Sequence, residues 1–129
     1  MKSHGPLWLF AAFAVVVLAA GLPYWRLSYD ELNRGQFAVA PGALLLGLLS
    51  LVLVLADAAP VRRIVQVMSF CAPTIAAVSI ARHTAIDPTS HNLWPLELAF
   101  AGIAGAVIVI PAVVLGLSVR WALARLGPR

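Results

Sequence analysis

Five side chains near one connection have the types that chemistry needs. Arg82, His83, Asp87 and His91 lie in RHTAIDPTSHNLW, and Glu97 follows just inside the next apolar run. His83, Asp87 and His91 recur every four residues, which would set two imidazoles and a carboxylate on one face of an unbroken helix. Such a set offers zinc, or another divalent cation, three ligands. Pro88 works against that helix, and the spacing matches no established site pattern. Solvated connection residues are therefore the plainer reading, with no metal and no cofactor expected. Glu97 is the sharper feature, because a carboxylate at the edge of hydrocarbon finds a partner or lines a wet cavity. Arg82, at the end of the neighbouring apolar run, is the expected partner. That pair is structural, or it holds a lipid head group or a small anion.

Other chemistries lack their residues. There is no Gly-rich phosphate loop, no Cys-x-x-Cys pair and no Gly-x-Ser-x-Gly nucleophile setting. Cys71 is the single cysteine, so no internal disulfide can form. Haem between two spans wants histidines within them, whereas His4, His83 and His91 fall at or beyond the ends of the apolar runs. No established catalytic set is present, so the reading leans away from an enzyme; a membrane enzyme acting on lipid is the third alternative, with the His83, Asp87, His91 and Glu97 group as its only candidate centre.

The elements that must position these residues are long and apolar. Of the 129 residues, 62% are hydrophobic and 11% charged, against about 45–50% and about 25% in soluble domains. A water-soluble globule of this size would lack the polar side chains to cover itself. The apolar runs are continuous rather than alternating, which favours membrane helices over a barrel. The expected fold is all-α: one transmembrane domain over residues 1–129, an antiparallel four-helix bundle with spans at about 5–25, 37–56, 64–81 and 95–119.

The last run anchors this reading. From Leu98 to Val119 it holds 22 uncharged residues, roughly 33 Å of helix against a hydrocarbon layer of about 30 Å. Trp94 and Trp121 bracket it at the two expected interfaces. In the first run, Lys2 and the small residues near its end also suit a signal peptide. Trp8 and Trp25 bracket that run as a span, and retention is expected. The first connection has a capping box at Ser28 and Glu31, with Asn33-Arg34-Gly35 ending a short surface helix. It reads as an interfacial connector; a binding lip of Tyr24, Arg26, Tyr29 and Asp30 is the alternative.

In the second run, which begins at Phe37, Pro41 sits in the first turn and Ala43 and Gly47 have small-xxx-small spacing. Asp57 ends this run and is expected to pair with an arginine. In the third, Pro73 leaves the Ser69 carbonyl without its helical amide and bends the helix. Pro111 is similarly central in the fourth, among Gly102, Gly105 and Gly116. Two bent helices rich in small residues suggest close packing around a narrow cavity.

Charge orients the chain. With four spans, Lys2, Arg62, Arg63, Arg120, Arg125 and Arg129 share one side, and only Arg26, Arg34 and Arg82 face the other. That excess places both termini in the cytoplasm. Topology thus accounts for the formal net charge of +4 without nucleic acid as a partner. Arginine in place of lysine, with abundant alanine, suggests a GC-rich bacterial genome and hence the bacterial cytoplasmic (inner) membrane. The expected function is that of a small accessory or assembly subunit, packing in the lipid bilayer against another membrane protein or itself. The alternative is an oligomeric transporter or channel for ions or small solutes, lined by the Pro73 and Pro111 helices and by Arg82 with Glu97.

Overall fold

The computed structural model describes residues 4–34 and 40–127. Lys2, Gly35, Gln36, Phe37 and Arg129 lie outside the described residues. Among those described, the chain is 85% helix with no strand. Six helices follow in order: α1 (Gly5–Trp25), α2 (Tyr29–Asn33), α3 (Ala40–Leu55), α4 (Val61–Ser69), α5 (Cys71–Ile86) and α6 (Trp94–Leu126).

Three helical runs are long and apolar enough to cross a membrane: α1, the α4–α5 run Val61–Ile86, and α6. Helix α3 is also apolar, but its 16 described residues cover about 24 Å. Residues 37–39 of the expected second span lie outside the description. The runs outlast the apolar stretches that mark them. Arg62 and Arg63 fall within α4, Arg82 and His83 within α5, and Arg120 and Arg125 within α6. A charge ends the part of a helix that suits hydrocarbon without ending its hydrogen-bond ladder, so residues 64–81 and 95–119 mark only the inner parts of longer helices.

Pro73 and Pro111 behave differently. Helix α4 stops at Ser69 and α5 restarts at Cys71, with Phe70 between them at φ −74°, ψ −9°. The break lies one turn before Pro73, where the proline has no amide to give the Ser69 carbonyl. Thr74 restarts the ladder, its amide and its hydroxyl both donating to the Phe70 carbonyl, at 3.0 and 2.7 Å. Helix α6, by contrast, continues as helix through Pro111. Pro111 is exposed, while Pro73 sits beside Gly102, nine residues or about 13 Å back along α6. The two prolines therefore do not face a common cavity.

Packing is concentrated in one seam. Helix α6 lies against α3, α4 and α5, and α1 lies against α3 and α5. Val16, Val54, Ile64, Met68, Cys71 and Val109 are fully buried there. Two glycines let α6 approach closely. A Cβ on Gly105 would collide with the Ser69 carbonyl oxygen, and one on Gly116 would lie 2.9 Å from Val54 Cγ1. Beyond the seam the surface is apolar: Phe10, Leu44 and Val107 are about two-thirds exposed. Only 17% of the most hydrophobic stretch of α6 is buried within the chain. Such a surface needs an apolar surrounding.

Two polar contacts fix opposite ends. Arg120 Nη1 donates to Asp57 Oδ1 at 2.9 Å and to the Val54 carbonyl at 3.2 Å. Asp57 thus has an arginine partner, supplied by α6 rather than by the adjacent Arg62 or Arg63. Asp57 has φ +50°, the left-handed geometry that turns the chain out of α3 and that aspartate tolerates better than most residues. Towards the other end, Trp25 Nε1 donates to the Ile75 carbonyl at 2.9 Å, tying the last turn of α1 to α5.

Candidate functional site

The polar groups gather at the end of α5 opposite Asp57. Helix α5 closes at Ile86, and Asp87 is extended, as a residue before proline prefers. Asp87 Oδ1 accepts from the Thr89 hydroxyl at 2.7 Å and from the Thr89 amide at 3.0 Å. These bonds hold the Asp87 carboxyl below its usual range and wind residues 87–93 into consecutive turns. The winding folds His91 back over the last turns of α5. Pro95 then lies in the first turn of α6, where its missing amide costs little. Glu97 falls in that same turn, where the helix dipole favours a negative charge.

The first connection completes the arrangement. Ser28 caps α2 through the reciprocal bonds of a capping box, Ser28 N to Glu31 Oε2 at 2.7 Å and Glu31 N to Ser28 Oγ at 3.3 Å. The Ser28 amide and hydroxyl hold the Glu31 carboxyl below its usual value. Capping at this point sets Tyr29 at the first position of α2. Its ring stands edge-on to both imidazoles, with centroids 4.9 Å from His91 and 6.1 Å from His83.

The result is a continuous chain of contacts. His83 Nε2 lies 3.2 Å from the Leu27 carbonyl oxygen, and His83 Nδ1 lies 3.2 Å from His91 Nε2. His91 Nδ1 in turn lies 2.9 and 2.7 Å from the two oxygens of Glu97. The imidazole planes are within 9° of parallel. Both histidines are buried, at 6% and 8% exposure, while the Glu97 side chain is 40% exposed. Three elements and two connections therefore meet through one buried polar line with a single wet end.

Of the five residues singled out from the sequence, His83, His91 and Glu97 come together. Arg82 and Asp87 do not. Arg82 is exposed, and the carboxylate assigned to it is taken by His91. Asp87 is turned onto Thr89, so the His83–Asp87–His91 ligand set is not assembled. Among the described residues no three His, Cys, Asp or Glu side chains converge on a metal position. Of the alternative lip, Tyr29 is placed against the imidazoles, and Arg26 and Asp30 are exposed.

No protein-family model, characterised protein or solved structure matches this chain. Its site must be read from its own geometry. Sequence reasoning missed the Leu27 carbonyl, because a backbone acceptor carries no residue signature. It also missed His91 with Glu97, although their spacing, with Pro95 opening the helix between them, is a usable signal for a first-turn carboxylate meeting a preceding imidazole.

Proposed function

We propose that the chain is a small polytopic protein of the bacterial cytoplasmic membrane, and that it works as a non-catalytic accessory or assembly subunit. In this reading α1, α3, the α4–α5 run and α6 form an antiparallel four-helix transmembrane bundle. Both termini lie in the cytoplasm with Arg62, Arg63, Arg120 and Arg125, and the histidine end faces outward.

The observation that carries the subunit reading is Gly47. A Cβ there would meet only Ile108 Cγ2, at an ordinary 3.7 Å. Packing within the chain thus has no need of a glycine at this position, unlike Gly105 or Gly116. Gly47 and Ala43 instead help form an open apolar groove of about 440 Å³ between α3 and α6, bordered by Leu44, Leu48, Leu51, Ala112 and Leu115. In lipid, helices associate by close packing at small residues rather than by escape from water. Small side chains left unspent inside the protein suit another transmembrane helix, from a partner subunit or a second copy. The passage reading draws less support, since Pro111 is exposed and Glu97 is engaged by His91.

Cysteine cross-linking in native membranes tests this. With Cys71 replaced by alanine, Leu48→Cys places a thiol at the groove. A discrete adduct that disappears in the added presence of Gly47→Leu is expected. Absence of any adduct, or one indifferent to Gly47→Leu, would remove the groove as the docking face.

A further inference from the structure

We propose that His83, His91 and Glu97 form a binding site for one shared proton, and that this proton latches the first connection to the last. The argument is an inventory of hydrogens. The Leu27 carbonyl can only accept, so His83 Nε2 carries a hydrogen. The gap between His83 Nδ1 and His91 Nε2 needs one hydrogen, and so does the gap between His91 Nδ1 and the Glu97 carboxylate. The complete line therefore holds three. Two neutral imidazoles and an ionised Glu97 supply only two, so one further proton completes it.

That proton has three equivalent placements. It can make an imidazolium of His83 or of His91, or neutralise Glu97, and each placement leaves all the hydrogen bonds intact. The group has zero net charge in every case, so no uncompensated charge is buried with the two histidines. When the proton leaves, two lone pairs face each other across 3.2 Å in a buried site, and the contact becomes repulsive. A second added proton crowds one gap with two hydrogens or cancels the carboxylate charge.

Other titratable and charged groups stand around these three side chains. Tyr29 of α2 presents ring edges, and Tyr24 of α1 lies within the field of Glu97. Asp87 is engaged with Thr89, and Arg82 and Arg26 are exposed. A metal fits less well than a proton. The described residues offer no third ligand beside the two imidazoles, whereas zinc sites are closed by three or four. Ser79, one turn before His83 on the same face of α5, is 2% exposed with its hydroxyl unpartnered. It extends the polar line towards the helix interior.

The test uses the full chain in nanodiscs, kept metal-free by chelation, with ¹⁵N-labelled histidine. Imidazole nitrogen spectra across pH should show His83 and His91 moving together at one midpoint. Protection of the amides of residues 27–32, taken relative to their intrinsic exchange rates, should fall as pH rises through that midpoint. Glu97→Gln should abolish the joint movement, because the line then lacks the carboxylate that closes it. Glu97→Asp should keep the joint titration, so the test survives a poorly folding glutamine variant. Independent midpoints for the two histidines, or loop exchange indifferent to their titration, would overturn the proposal. So would stoichiometric zinc binding that displaces the proton and protects residues 27–32.

Discussion

Gly105→Ala isolates the closest approach in the molecule. A methyl at Gly105 would collide with the Ser69 carbonyl oxygen and lie 3.2 Å from the Ser69 carbonyl carbon and 3.4 Å from Ala72 Cβ. Backbone lies on both sides, so no flexible side chain can yield. Either α6 must withdraw from the α4–α5 break or the break must reshape. Overpacking of this kind costs about 1–3 kcal/mol, and the rigid partner argues for the upper half of that range. Gly102→Ala is the matched control, because its methyl would meet only Pro73 Cγ at 3.8 Å. Both substitutions replace glycine inside the same helix and gain the same helical preference, about 1 kcal/mol. The difference between them therefore reports the collision alone. We expect Gly105→Ala to be less stable than Gly102→Ala by about 2 kcal/mol, roughly thirtyfold in the unfolding equilibrium. Reversible unfolding in mixed micelles, followed by circular dichroism, reads this directly. Equal stability of the two variants would refute the claim that α6 is seated on the Ser69 carbonyl.

Two further outcomes follow from the polar contacts. Trp25→Phe should cost about 1 kcal/mol by removing the indole bond to the Ile75 carbonyl. Its cost should grow in a Ser79→Ala background, because the unpartnered Ser79 hydroxyl can take the vacated acceptor one turn behind it; additive costs in a double-mutant cycle would contradict this. For α2 the sign comes from Glu31, whose carboxyl is lowered in the folded chain by the Ser28 amide and then the Ser28 hydroxyl. The cap is fully present above the unfolded value near 4.5 and is lost as pH falls through the lower folded value. Protection of the Glu31 and Leu32 amides, taken relative to their intrinsic exchange rates, should fall as the Glu31 carboxyl protonates, and Glu31→Gln should abolish that response.

The apolar helices were legible because hydrocarbon imposes a length and forbids charge, and both constraints are written in consecutive residues. The Ser28–Glu31 cap and the break near Pro73 were legible for the same local reason. Each depends on residues within one turn of helix. The helix ends beyond the apolar stretches were not, since Arg62, Arg82 and Arg125 stay helical past the last apolar residue. Pro111 carries the same missing amide as Pro73, and α6 continues as helix past it. The pairing at the histidine end depended on how the turns of residues 87–93 wind. Charge alone suggested Arg82 for Glu97, whereas the turn built on Asp87 and Thr89 delivers His91 first. Arg120 was similarly obscured, because the arginine that reaches Asp57 lies sixty-three residues further along the chain.

The central claim, that these helices have lipid as their solvent and return both ends to the cytoplasm, is tested most directly by reporter fusions. Alkaline phosphatase, active only outside, and a fluorescent protein that matures inside would be placed after Pro60, within the turns at Ser90, and after Gly127. Fluorescence at Pro60 and Gly127, with phosphatase activity at Ser90, is the predicted pattern. Phosphatase activity at Gly127, or recovery of the fusions in the soluble fraction, would contradict the account.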